Sequence, residues 1–311
     1  MLSMFRMDGE ALLDADQFED GVWVNLTAPT ERELERVGEG LHLEMDFLKA
    51  ALDDEEMARI EWDAGQTLVL VDLPMVEADG DAFIYTTLPL GIVMTDEAIV
   101  TVCLKDSPVV QDFVCGRVKE FYTYKKTRFI LQLLYRIAGK YLQYLRQIDR
   151  ASVRVQKELE NSMRNRELLQ LLALEKSLVY FSTSLKANEI VMEKLMRMAA
   201  IKKYPDDADL LEDVIIENKQ AIEMCAIYRD ILSGTMEAFS SVISNHLNVV
   251  MKFLTSVTIV ISVPTIIASL WGMNVPGLPF AQNPWGFAIV CVLSVVISCV
   301  VALIMAKRKL L

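Results

Sequence analysis

Between Lys252 and Lys307 the chain carries no Asp, Glu, Lys, Arg or His. An uncharged run of that length constrains the fold more than any other feature. It holds two apolar stretches, Phe253–Trp271 and Trp285–Ala306, each long enough to cross a hydrocarbon core of ~30 Å as a helix. The segment between them, 272–284, is broken by Pro276, Pro279 and Pro284 and cannot continue either helix. Lys252 precedes the first span, and Lys307, Arg308 and Lys309 form a basic end, 307–311, after the second. The connecting loop has no basic residue, so both termini are expected in the cytoplasm and the loop outside, in a multi-pass protein of the inner (plasma) membrane.

The rest of the chain is built for water and is acidic, with 43 Asp and Glu against 31 Lys and Arg. The N-terminus, MLSMFRMDGEALLDADQFED, lacks the basic start and apolar run of a cleavable signal. Five cysteines, Cys103, Cys115, Cys225, Cys291 and Cys299, form no C-x-x-C pair and read as reduced packing residues. His42 and His246 match no zinc or catalytic spacing. No nucleophile, base or metal-ligand cluster has usable spacing, so an enzyme is not expected. No nucleotide-binding motif occurs, and neither nucleotide, nucleic acid nor organic cofactor is expected.

Residues 1–125 alternate strand-like and helical runs and read as a small α/β domain in the cytoplasm. Gly21–Leu26, Thr67–Val76, Phe83–Thr95 and Ala98–Leu104 are rich in β-branched and aromatic residues. Thr30 and Glu33 have the spacing of a capping box, and FLKAALDDEEMARI, 47–60, reads as a further helical stretch. From 126 to 205 the apolar spacing is helical: Leu134, Ile137, Tyr141, Tyr144, Ile148, Val155 and Leu159 make a seam. A polar turn near Asn161–Glu167 reverses the chain into a second, antiparallel helix. After Pro205 a stripe of Leu211, Ile215, Ile222, Cys225, Leu232, Met236, Phe239 and Ile243 carries a stalk helix, 206–252, onward into the first span. A helix from Ala208 to Trp271 would be ~95 Å long and would need neighbours to cover its apolar stripe, so self-association is expected.

The first span, 253–271, is more than an anchor. Asn248, Met251, Thr255, Thr258, Ser262, Thr265 and Ser269 advance by steps of three and four and share one helix face. Such hydroxyls can bond their own backbone or join helices. They can also line a pore, which one helix can form only with further copies of itself.

Gly272-Met273-Asn274, just past the first of two C-terminal spans and after a very long helix, closely resembles the signature of the CorA family of magnesium transporters. The resemblance implies a funnel-shaped homopentamer in the lipid bilayer, with an α/β cytoplasmic domain, a helical stalk and two transmembrane helices. The first helix (253–271) lines the pore, the second (285–306) lies outside it, and the loop 272–284 presents Gly272, Met273 and Asn274 as the selectivity ring. It further implies that Mg²⁺ is both cargo and regulator, bound between cytoplasmic subunits to hold the closed state. Asp213 stands at a family sensor position. Its partner position aligns with Ala50, so the following Asp53, Asp54, Glu55 and Glu56 are the candidate ligands. The chain departs from the family pattern in Trp271 where Tyr is usual, in a loop without carboxylates, and in Ser262 at the usual apolar gate, which leaves Met251 and Leu254 as the constriction. Whether Leu254 or Thr255 faces the axis stays open, as do Zn²⁺, Co²⁺ or Ni²⁺ as cargo and a scaffold that does not conduct.

Overall fold

The computed structural model describes residues 1–308 except 10, 80–81, 163–164, 199–203, 274, 276–277 and 280–282. It divides into two compact units, Met1–Gly234 and Thr235–Leu311.

The first unit is organised by one mixed sheet. Its strands are β1 (Leu2–Asp8), β2 (Ala11–Asp14), β3 (Val22–Thr27), β4 (Arg59–Asp63), β5 (Gln66–Asp79), β6 (Ala82–Met94) and β7 (Ala98–Cys103), in the order β2-β1-β3-β7-β6-β5-β4. Only the β3–β7 pair is parallel, with Val24 opposite Val100. Two-residue alternation splits β3 between two cores. Val22, Val24 and Leu26 pack with Leu34 and Val37 of α1 (Glu31–Gly40) and with Phe47 and Leu48 of α2 (Met45–Ala50). Thr30 caps α1 through the expected box: its hydroxyl accepts from the Glu33 N–H while the Glu33 carboxylate accepts from the Thr30 N–H.

Trp23 points the other way. It is fully buried among Phe5, Phe113, Phe121 and Phe129, with centroid distances of 5.0 to 6.5 Å. Its Nε1–H donates to Thr101 Oγ1 at 2.9 Å, and that hydroxyl donates to Asn25 Oδ1 at 2.9 Å. Phe113 lies on α3 (Pro108–Val114) and Phe129 on α4 (Lys126–Ser162). Helices therefore cover both faces of the sheet.

Three readings of the sequence are corrected in this unit. The 47–60 stretch is helical only to Ala50, and its end, Arg59–Ile60, opens the edge strand β4. Strands β1 and β2 and helix α3 complete the domain without having been anticipated. The buried line of the long helix is Leu211, Val214, Asn218, Ala221, Cys225 and Leu232, so Ile215 and Ile222 lie beside the seam rather than in it.

All seven seam residues of α4 are buried. Helix α5 (Asn165–Leu195) buries Leu171, Leu174, Leu178, Phe181, Leu185, Asn188, Met192 and Leu195 at alternating steps of three and four. It holds the sheet on one side: Asn188 receives the Asp72 N–H at 2.8 Å and returns its Nδ2–H to the Asp72 carbonyl at 2.9 Å. On the other side it holds the long helix α6 (Pro205–Trp271), whose Asn218 Nδ2–H donates to the Leu185 carbonyl and whose Cys225 thiol donates to that of Leu178, both at 3.1 Å. Burial pushes the Cys225 thiol up to about 11.

Asp72 lies under this layer, and burial raises its carboxyl above the ordinary range against a weaker opposing hydrogen bond from Ser184. A raised folded-state pKa means that the native chain holds the proton more tightly than the unfolded one. The group thus favours folding at low pH, and that contribution is lost as pH rises through the folded pKa. Asp72→Asn should therefore raise the melting temperature at about pH 7 more than at about pH 4; an equal shift at both would contradict this.

Candidate functional site

In the second unit, α6 ends at Trp271 and α7 (Gly286–Lys307) follows. Both are long and apolar enough to cross a membrane. Most of their apolar side chains are exposed in the single chain, Leu254, Ile261 and Leu270 among them. Such a surface needs lipid or further protein against it.

Four of the five hydroxyls of the α6 stripe share one arrangement. Thr255 donates to the Met251 carbonyl at 2.8 Å, Thr258 to Leu254 at 2.9 Å, Ser262 to Thr258 at 2.7 Å and Thr265 to Ile261 at 3.0 Å. Each hydroxyl thereby spends its one proton on the preceding turn and keeps lone pairs outward. The expectation that these residues can bond their own backbone is met. It does not oppose a lining role, because a back-bonded hydroxyl still presents an acceptor. Asn248, Met251, Leu254 and Ser269 are exposed on the same helix. Pro264 sits inside α6 without ending it.

Ser256, off the stripe, is among the few buried residues of this unit and donates to the Lys252 carbonyl at 2.8 Å. Nothing in its sequence context sets it apart from its exposed neighbours. Lys252 precedes the first apolar stretch, Lys307 ends α7 and Arg308 follows; Lys309 lies outside the described residues.

At the end of the first span, the Gly272 N–H closes on the Ala268 carbonyl at 2.9 Å. A Cβ at Gly272 would lie 3.1 Å from that same oxygen, so the close final turn leaves little room for a side chain. Met273 is exposed and its carbonyl accepts from the Val275 N–H. Asn274 lies outside the described residues. The Trp271 indole donates to the Pro279 carbonyl at 3.1 Å and lies 6.4 Å from the Phe287 ring, which ties the loop to the start of α7.

The candidate regulatory carboxylates occupy the first unit. Asp53 Oδ1 accepts from the Glu55 N–H at 3.0 Å, and Glu56 pairs with Arg59 at 2.5 Å. Asp54, Glu55 and Asp213 are exposed. No hydrogen bond or ion pair joins Asp213 to the run at 53–56 within one chain, and among the described residues no three His, Cys, Asp or Glu side chains gather to hold a metal. Ala50, at the aligned family position, is buried beside Leu48 in the core and offers no ligand.

These features are shared with known proteins. The model of the CorA-like Mg²⁺ transporter protein matches residues 18–308. The cobalt/magnesium transport protein CorA of Methanocaldococcus jannaschii is 31% identical, covering 93% of this chain and 91% of that protein. Its counterpart in Thermotoga maritima is 22% identical, covering 97% and 87%. The complete structure of the CorA magnesium transporter from Methanocaldococcus jannaschii aligns with a TM-score of 0.84 and 26% identity, covering 99% of this chain and 98% of that one. The chain belongs to the CorA-like Mg²⁺ transporter family, whose members are membrane transporters rather than enzymes.

Gly272→Ala tests the tight final turn. The added methyl should displace the Ala268 carbonyl by a few tenths of an ångström and cut ion flux about tenfold while leaving expression and oligomeric state unchanged. Parental flux in this variant would mean that the turn tolerates a side chain.

Proposed function

We propose that the protein conducts divalent cations inward, with Mg²⁺ as the principal cargo. Five copies surround a pore lined by the last third of α6, with Gly272, Met273 and Asn274 at its outer mouth. The observation that carries this reading is the back-bonded hydroxyl stripe of α6, in a chain of this family, leading to that tripeptide. A hydrated Mg²⁺ ion presents only water hydrogens to its surroundings and gives up those waters reluctantly. A wall of outward lone pairs accepts from such an ion without stripping it, and a neutral wall does not trap it. Asn274 adds an amide oxygen of the same kind from each copy.

The absence of Cys, His and carboxylates from 253–273 disfavours the softer transition ions as tightly held species. Co²⁺ is retained as a second cargo because the two relatives are cobalt/magnesium transport proteins by name. Inward movement needs no nucleotide, since a membrane potential of 100 mV drives a divalent ion with about 4.6 kcal/mol. The basic residues at 252 and 307–309 support an orientation in the plasma membrane with both termini cytoplasmic.

Internal Mg²⁺ closes the pore in this reading, bound between neighbouring copies by Asp213 of one and the acidic run of the next. Asp54, Glu55 and Asp213 are exposed for that purpose, whereas Asp53 and Glu56 already have partners in their own chain. Loss of the ion leaves like charges facing one another and favours opening.

Purified protein in liposomes tests both parts. Mg²⁺ influx should be blocked by hexaamminecobalt, which mimics the hydrated ion, and should fall at least about tenfold in Asn274→Ala. Asp213→Ala should keep conducting at internal Mg²⁺ concentrations that halt the parent. Flux that survives Asn274→Ala would remove the proposed ring, a parent without flux would favour a non-conducting scaffold, and unchanged internal sensitivity in Asp213→Ala would remove the sensor.

A further inference from the structure

A cavity of 790 Å³ opens where the start of β6 meets the C-terminal part of α4 and the first turns of α5. It lies wholly within the first unit and shares no residue with the proposed pore or its sensor. Its size is that of a small-molecule site, for which about 300–1,000 Å³ is usual. Phe83, Val155 and Leu174 give it an apolar wall.

Glu167 makes the cavity chemically specific. It lines the space and is 8% exposed, and its Oε2 is buried with no hydrogen-bond partner. No ion pair reaches its carboxylate among the described residues. A buried carboxylate oxygen without a partner lacks the hydrogen bond that water would give it, and a donor placed against it supplies one. Arg154 lines the same space, exposed and without an ion pair among the described residues. Two further charged residues, Glu158 and Arg166, complete the lining, so the cavity holds two carboxylates and two guanidinium groups.

That balance selects among ligands. A bare divalent cation asks for several oxygen ligands and is repelled by the arginines. A polyamine meets the same repulsion, and an anion meets Glu167. We propose that the cavity binds a small zwitterion with an apolar body, an apolar α-amino acid in chemical class. Its ammonium donates to Glu167, its carboxylate accepts from Arg154, and its side chain lies on Phe83 and Leu174.

Calorimetric titration of the full-length protein in detergent micelles tests this with four probes: phenylalanine, phenethylamine, 3-phenylpropionate and MgCl₂ alone. Phenylalanine should bind with a Kd of about 1 mM or tighter, and each probe that lacks one charged group should bind about tenfold more weakly. Glu167→Gln and Arg154→Gln should each weaken phenylalanine by about tenfold. Neither should lower the melting temperature appreciably, because neither side chain has a hydrogen bond or ion pair among the described residues to lose. No heat from phenylalanine up to about 10 mM would overturn the proposal, as would equal affinity in both variants. Binding of Mg²⁺ that vanishes in Glu167→Gln would overturn it in favour of a metal site.

Discussion

A helix in a hydrocarbon core has no water to satisfy its polar groups, and every donor it carries must find an acceptor within the protein. In the last third of α6 four hydroxyls of one face meet that requirement on their own helix. Thr255, Thr258, Ser262 and Thr265 bond backward along their own helix, and what they leave unspent is all of one kind. These four positions are polar but uncharged and present acceptors rather than donors. On the proposed pore wall, hydroxyls oriented in this way would favour an ion wearing its waters over the same ion stripped.

The first unit solves the opposite problem, too much apolar surface on one helix. Helix α5 is covered by sheet on one side and by α6 on the other, so its buried residues recur at alternating steps of three and four along its whole length. Polar groups in that layer are spent on backbone atoms. Asn188 closes a pair of hydrogen bonds with the main chain of Asp72, and Asn218 and Cys225 hold carbonyls of α5. These contacts fix the register of sheet, hairpin and long helix, which buried apolar contact alone specifies only loosely.

Much of this is legible in the sequence. The strands that were read, β3, β5, β6 and β7, are those rich in β-branched residues. The missed β4 follows a run of helix formers and alternates charged with apolar residues, as a partly exposed edge strand does. LSMFRMD, which forms β1, lacks the β-branched residues that mark a strand. On α6 the true seam includes Asn218, a polar residue that periodicity arguments pass over. The hydroxyl stripe and the tripeptide were readable because they are local in sequence. The Glu167 cavity was not, because it joins residues from three elements, and a buried glutamate at the start of a helix looks in sequence like any glutamate that favours the helix dipole.

Burial also sorts the thiols. Cys103 and Cys225 are closed off in the first unit, and burial holds both in the protonated form. Cys291 and Cys299 are exposed on α7, on a surface suited to lipid. Cys115, at the end of α3, is the one exposed cysteine of the first unit among the described residues. A water-soluble maleimide at neutral pH is thereby directed to a single position per chain. The native sequence carries its own attachment point for a fluorophore or spin label on the first unit, and labelling it requires the removal of no other cysteine.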